Sequence, residues 1–192
     1  MRKFGLIGFP LTHSFSKKYF TEKFEKQQIL DCKYDLYSIA DAKEMIDLIE
    51  REPALCGLNV TIPHKLNVIS FLNEIDSSAK EIGAVNCIAI NQNEGAAFLK
   101  GYNTDVYGFE ESLKPLLETQ HQKALIFGNG GAAQAVKYVL KQLNIPYLVV
   151  VRNPSPGAIL YSAITKEILA DYKLLINTTP LGMLPNLESF PP

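Results

Sequence analysis

The sequence predicts an α/β protein built in two parts, and three observations carry that prediction. Short apolar runs with strand periodicity alternate with stretches of helical spacing through the first half. Two strand-like segments, "AVNCIAI" (84–90) and "AAFLKGY" (96–102), are joined only by "NQNEG" (91–95), which reads as a hairpin loop. The first sheet is therefore expected to be mixed and mainly parallel. Finally, a glycine loop, "FGNGGAAQA" (127–135), lies between a buried-strand pattern and a helix pattern, the setting of a parallel βαβ unit.

In chain order the first part offers a strand at 3–8, a helix around 16–28, a strand at 33–39, a helix around 41–51 and a strand at 55–61. In the last of these Leu58, Val60 and Ile62 alternate with Asn59 and Thr61, the pattern of one buried face, and Pro63 ends the ladder. A further helix is expected near 64–73, then an Asp/Ser-rich stretch at 76–78 and the hairpin pair. A helix near 107–119 leads through the polar "ETQHQK" (118–123) into the second pattern, so the parts are taken as 1–106 and 107–192. There "KALIFG" is a strand, 130–144 a helix, 147–152 and 173–179 strands, and "NPSPG" a loop. This is a Rossmann-type arrangement.

The 19 Lys+Arg against 20 Asp+Glu leave a net charge of −1, which favours a small-molecule partner over nucleic acid or an anionic membrane. No apolar run approaches a membrane span, and "MRKFGLIGFP" enters a strand pattern with no signal-peptide core, so the cytoplasm is the expected location. Cys32, Cys56 and Cys87 are an odd count at wide spacing, which reads as buried thiols and implies no metal.

The glycine loop is the clearest chemical signal. Gly128 allows a tight turn, Gly130 lets the backbone approach a pyrophosphate, and Ala133 permits close helix packing, with the helix N-terminus facing the anion. An NAD site usually carries a carboxylate at the end of the second strand, yet residues 119–166 contain no Asp or Glu. The second strand instead ends in Arg152, whose guanidinium suits the 2′-phosphate of NADP.

In the first part, polar residues gather where strands and helices end: Ser14 and Ser16 in "GFPLTHSFS", Asn59, Thr61 and Lys65 in "GLNVTIPHK", Asn86 in "GAVNCI", and Asn103, Thr104 and Asp105 in "GYNTDVYGF". Taken singly, each is a helix cap, an Asx-turn or a solvated lysine. Four such places in one small α/β part are explained more economically by a shared polar pocket.

Those motifs, with "GNGGAA" and "NTTPLGM", run in the order seen in the shikimate dehydrogenases, and the resemblance spans Gly8 to Met183. The family couples a substrate-binding α/β domain to an NADP-binding Rossmann domain and reduces 3-dehydroshikimate to shikimate. The resemblance implies that Ser14 and Ser16 hold the substrate carboxylate, that Asn59, Thr61, Asn86 and Asp105 bind ring hydroxyls or the carboxylate region, and that Lys65 and Asp105 form the catalytic pair. It further implies that Gly128, Asn129, Gly130, Gly131, Ala132 and Ala133 line the pyrophosphate, Arg152 the 2′-phosphate, and Asn177, Thr178, Thr179 and Met183 the inner cofactor site. Departures are local: Lys17, Phe20 and Thr21 follow Ser16 where Pro and a His-Asn pair are common, and Cys87 and Val106 replace Thr and Gly.

Lys65 is expected to act as the electrophile, with either Lys65 or water as final proton donor. Two rival readings are a quinate/shikimate dehydrogenase using NAD and a non-catalytic domain that senses a cyclic polyol acid. Because the family usually continues for several tens of residues, the sequence is read as a truncated chain whose incomplete second domain has an unfinished nicotinamide site and an uncovered sheet edge. It is expected to be poorly active and prone to pair that edge with another chain, for example as a homodimer.

Overall fold

Two sheets organise the chain in the computed structural model, which describes residues 1–11, 14–92, 96–183 and 187–192. They belong to two compact units, Met1–Thr104 and Asp105–Pro192. The division falls two residues before the sequence-based boundary, because the helix expected from 107 already starts at Asp105.

The first unit holds a six-stranded sheet. Strand β1 (Arg2–Gly8) lies between β2 (Cys32–Ser38) and β3 (Leu55–Val60), parallel to both. Beyond β3 come β5 (Cys87–Gln92), β6 (Ala97–Tyr102) and the two-residue β4 (Glu74–Ile75). β5 runs antiparallel to β3 and β6, and β4 parallel to β6, so the sheet is mixed and mainly parallel. Residues 93–95 of the anticipated hairpin loop lie outside the described residues, but its two strands pair as a hairpin would.

Both faces of this sheet are apolar because β1 alternates. Ile7 joins the larger core with Met45, Leu48 and Ile49 from helix α2 (Glu44–Arg51) and with Leu58 and Val60 from β3. Leu6 faces the other way, where Phe20 and Phe24 of helix α1 (Ser16–Lys26) pack with Tyr34. Ile62 does not continue the buried row: it lies past the end of β3 and is 47% exposed.

The helix expected at 64–73 is a shorter 3-10 turn, Asn67–Phe71. Bonds such as Leu72 N–H to the Ile69 carbonyl span three residues, and the β-branched neighbours Val68 and Ile69 suit a short tight turn better than a long α-helix. The Asp/Ser stretch forms a helix cap. Asp76 accepts the Ser78 N–H at 3.0 Å and starts α3 (Ser77–Ile82), which ends at the left-handed Gly83.

The second unit carries a four-stranded, wholly parallel sheet in the order β10-β7-β8-β9. Its strands are β7 (Ala124–Phe127), β8 (Tyr147–Val151), β9 (Ala158–Leu160) and β10 (Leu174–Asn177). The expected helix at 107–119 is α4 (Asp105–Leu113) followed by a 3-10 turn at Lys114–Leu116, the change coming where Pro115 removes a backbone donor. Helix α5 (Gly131–Gln142) joins β7 to β8 and buries Ala133, Val136, Val139 and Leu140. Strand β9 and helix α6 (Lys166–Asp171) are absent from the sequence-based expectation. Only residues 152–157 separate β8 from β9, yet the strands are parallel; this suffices because Ala158 pairs with Val149, two residues before β8 ends.

Candidate functional site

In the first unit, the predicted residues cluster around the end of β3. Asn59 stands on the α1 face of that strand, and its Oδ1 accepts the Tyr34 hydroxyl at 2.8 Å. Tyr34 is buried and stacked on Phe20 at 4.4 Å. Burial pushes its phenol far above the usual range, against a smaller opposing effect of the Ser16 hydroxyl. Ser16 is the first residue of α1, and its N–H donates to Ser14 Oγ at 3.3 Å. Thus Ser14, Ser16 and Asn59 are brought together through Tyr34, which sequence reasoning missed. Its place in the alternating "KYDLYSI" was the available signal.

Asn86 is only 8% exposed and ties several segments together. Its carbonyl accepts Val60 N–H at 2.8 Å, its own N–H donates to Tyr102, and its side-chain Oδ1 accepts Thr104 N–H at 2.8 Å. Thr61 closes the adjoining turn, donating its N–H to Ile7 and accepting from His64. His64 is buried, with Nε2 2.8 Å from the Ile39 carbonyl, and so anchors the backbone that presents Lys65. Lys65 is half-buried, and its carbonyl accepts Val85 N–H at 2.8 Å, next to Asn86. The anchor His64 was also missed. A histidine between Pro63 and a candidate catalytic lysine was the signal.

Against the α1 face lies a cavity of about 360 Å³ lined by Phe4, Phe20, Phe24, Cys56, Cys87 and Tyr102, with Asn59 and Tyr34 among its polar groups. Cys56 and Cys87 are thus half-buried thiols on its wall rather than fully buried ones.

In the second unit, Asp105 opens α4 directly after Thr104. The glycine loop follows β7. Gly128 has φ +106°, and a Cβ there would come within 2.7 Å of Thr178 Oγ1, so only glycine fits against the loop that follows β10. At Gly130 a Cβ would meet nothing within 4 Å. The protein's own packing therefore does not require that glycine, and the space above it is free for a phosphate group. Gly130 also caps α5 without a side-chain hydrogen bond, leaving the N–H groups of the first turn, Gly131 to Ala133, for an anion. Ala133 is fully buried, as close helix packing demands.

β7 lies between β8 and β10 while its helix leads to β8, so this loop sits at the switch point of the sheet, where open α/β sheets bind ligands. Arg152 follows β8 and is exposed, and Asn129 Nδ2 donates to Ser155 of the same β8–β9 connection at 3.3 Å. After β10, Asn177 Oδ1 accepts Thr179 N–H at 2.9 Å, Asn177 Nδ2 donates to Leu181, and Thr178 Oγ1 donates to Phe127 at 2.7 Å. These side chains shape the loop, and Met183 beyond them is exposed.

Fold and loop together define a dinucleotide-binding α/β protein whose other unit carries polar strand ends. The family profile "Shikimate dehydrogenase substrate binding domain" matches residues 6–88. Shikimate dehydrogenase (NADP(+)) of Clostridium beijerinckii is 38% identical, the match covering 100% of this chain and 72% of the relative. That of Methanosphaera stadtmanae is 34% identical over 98% of this chain and 71% of its own length. Among solved structures, shikimate dehydrogenase 1 of Peptoclostridium difficile matches at TM-score 0.83 and 30% identity over 100% of this chain and 72% of that one. The Thermus thermophilus enzyme in complex with NADP(H) and shikimate matches at TM-score 0.77 and 29% identity, covering 100% and 73%. The chain belongs to the shikimate dehydrogenase family.

Proposed function

We propose that this protein carries out the reversible NADPH-dependent reduction of 3-dehydroshikimate to shikimate, with Met1–Thr104 as the substrate unit and Asp105–Pro192 as the NADP unit. The observation that carries the reading is the match along the whole chain to a structure that holds NADP(H) and shikimate together. The free space at Gly130, the α5 N-terminus without a side-chain cap and the exposed Arg152 fit a phosphorylated dinucleotide. The bound cofactor supplies the hydride. Lys65 directs its ammonium at the ketone oxygen as negative charge develops there, and Asp105, the second member of the proposed catalytic pair, takes a hydrogen bond from a ring hydroxyl. Ser14 and Ser16 take the substrate carboxylate, and Asn59, Thr61 and Asn86 the remaining polar edge. Gly128 to Ala133 border the pyrophosphate, and Asn177, Thr178, Thr179 and Met183 the inner end of the cofactor.

No helix among the described residues is long and apolar enough to cross a membrane. Three free cysteines support a reducing compartment such as the cytoplasm, and a net charge of −1 supports a small-molecule partner rather than nucleic acid. A homodimer is the proposed assembly, and solution mass tests it.

The deciding experiment is a steady-state assay with shikimate and either NADP or NAD. Turnover with NADP is expected, and Lys65→Ala should lower kcat by about a hundredfold or more, the scale of a lost proton-transfer group. Asp105→Asn should lower kcat and raise KM together. Arg152→Ala should raise KM for NADP about tenfold, the loss of one charge-assisted contact, and leave NAD unchanged. Near-normal turnover in either pair variant would remove the Lys65–Asp105 assignment. Equal use of both cofactors would favour the broader quinate/shikimate type, and binding without turnover would favour a sensor.

A further inference from the structure

Helix α5 places a second cation beside the loop that carries Arg152. Counting from Gly130 at its N-cap, Ala133, Gln134 and Lys137 fall at the spacings that share one helix face. Helical side chains lean toward the N-terminus, so a lysine two turns in reaches back to the glycine loop. Lys137 does this, its Nζ donating to Asn129 Oδ1. The same Asn129 donates from Nδ2 to Ser155, three residues after Arg152. One amide thus joins the ammonium on α5 to the connection at the end of β8.

Nothing neutralises that ammonium locally. Among the described residues Lys137 pairs with no carboxylate, and residues 119–166 contain none. The neighbour one helical turn on, Lys141, is another cation. Burial lowers the Lys137 pKa, the mark of a cation with reduced hydration and no compensating anion. A protein that only needed to hold Asn129 could do so with a neutral donor.

We propose that Lys137, positioned by Asn129, is a direct contact of the cofactor's 2′-phosphate and, with Arg152, a determinant of preference for NADP over NAD. The proposal rests on the NADP reading above and extends it to a residue outside the glycine motif and the strand end. Asn129 then has two roles: it lines the pyrophosphate loop, and it aims the ammonium toward the β8–β9 connection.

The test is calorimetric binding of adenosine 2′,5′-bisphosphate and of ADP to the unmodified protein, Lys137→Met and Lys137→Arg, with melting temperatures recorded. The unmodified protein should bind the 2′,5′-bisphosphate more tightly than ADP. Lys137→Met should lose about tenfold or more of affinity for the 2′,5′-bisphosphate, as expected for a charge-assisted contact, while its affinity for ADP stays within about twofold. Lys137→Arg should keep most of the affinity, which separates loss of charge from loss of fold. Equal losses for both nucleotides would place Lys137 at the pyrophosphate or in the fold and overturn the proposal, as would an unchanged preference in Lys137→Met. If the unmodified protein shows no preference, the NADP reading falls as well; a preference that survives in the variant sinks the Lys137 assignment alone.

Discussion

The polar end of β3 and the glycine loop after β7 are both candidate binding surfaces, but they are assembled in opposite ways. Around β3, side chains bind one another and the backbone: the Tyr34 hydroxyl donates to Asn59, Asn86 Nδ2 donates to Thr104 Oγ1, and Ser14 Oγ accepts the Ser16 N–H. Around β7 the groups are largely backbone and open space, with nothing within 4 Å of a Cβ at Gly130 and α5 without a side-chain cap. The first surface is preorganised by hydrogen bonds that also hold the strands together, so changes there alter stability and recognition together. The second separates the two, because a residue can be dispensable to the fold and still decisive for an anion.

The largest effect expected from this contrast comes from paired glycine variants. Gly128→Ala combines a φ of +106° with a Cβ 2.7 Å from Thr178 Oγ1, and should cost about 1–3 kcal/mol of stability along with NADPH binding. Gly130→Ala meets nothing within 4 Å, so its melting temperature should stay near that of the unmodified protein while NADPH fluorescence no longer responds. If both variants melt alike, the distinction between glycine required by packing and glycine required by ligand is wrong.

At the other surface, Tyr34→Phe removes the donor to Asn59 Oδ1 and should cost about 1 kcal/mol in denaturant unfolding, with a higher KM for shikimate. A change in KM with no loss of stability would show that the hydrogen bonds around β3 do not serve both ends.

The smallest effect is electrostatic. Burial tends to raise the Asp35 pKa, but hydrogen bonds from Lys33 and Lys17 outweigh it, and the carboxyl sits below its ordinary value. A carboxylate lowered in the folded state contributes stability above its unfolded pKa and loses it as pH falls through the folded value. Asp35→Asn should therefore reduce stability by about 1 kcal/mol or less at neutral pH and by less in acid, below the usual carboxylate range. A constant difference between the two proteins from neutral to acid pH would refute this.

How much of this was legible in the sequence depends on whether the signal was local. The alternation of Leu58 and Val60 and the G-x-G-x-x-A spacing are set by neighbouring residues, and both gave elements within a few positions of those observed. β9 was not legible, because "AIL" is three residues long and follows a Pro/Gly loop, so no periodicity can accumulate. Helix α6 was missed for a similar reason: it has six residues, begun by a Thr165 side-chain cap that looks like any polar loop. In the candidate sites, Asn59, Asn86 and Gly130 stood out by residue type in an unusual place. Tyr34 and Lys137 did not. Their significance comes from what they touch 25 and 8 positions away in sequence.

The short connection between β8 and β9 also bears on the order in which the second unit folds. Val149 and Ala158 pair across nine positions, whereas Ala124 and Leu174 pair across fifty. Loop-closure entropy makes the longer closure costlier by about 1.5 kcal/mol, so β8 and β9 should associate early and β10 dock late. Thr178 reaches its place against Gly128 only when β10 docks. In pulse-labelling hydrogen exchange, the β9 amides should gain protection before that of Thr178, so the nucleotide loop would be among the last parts of the unit to become rigid during refolding.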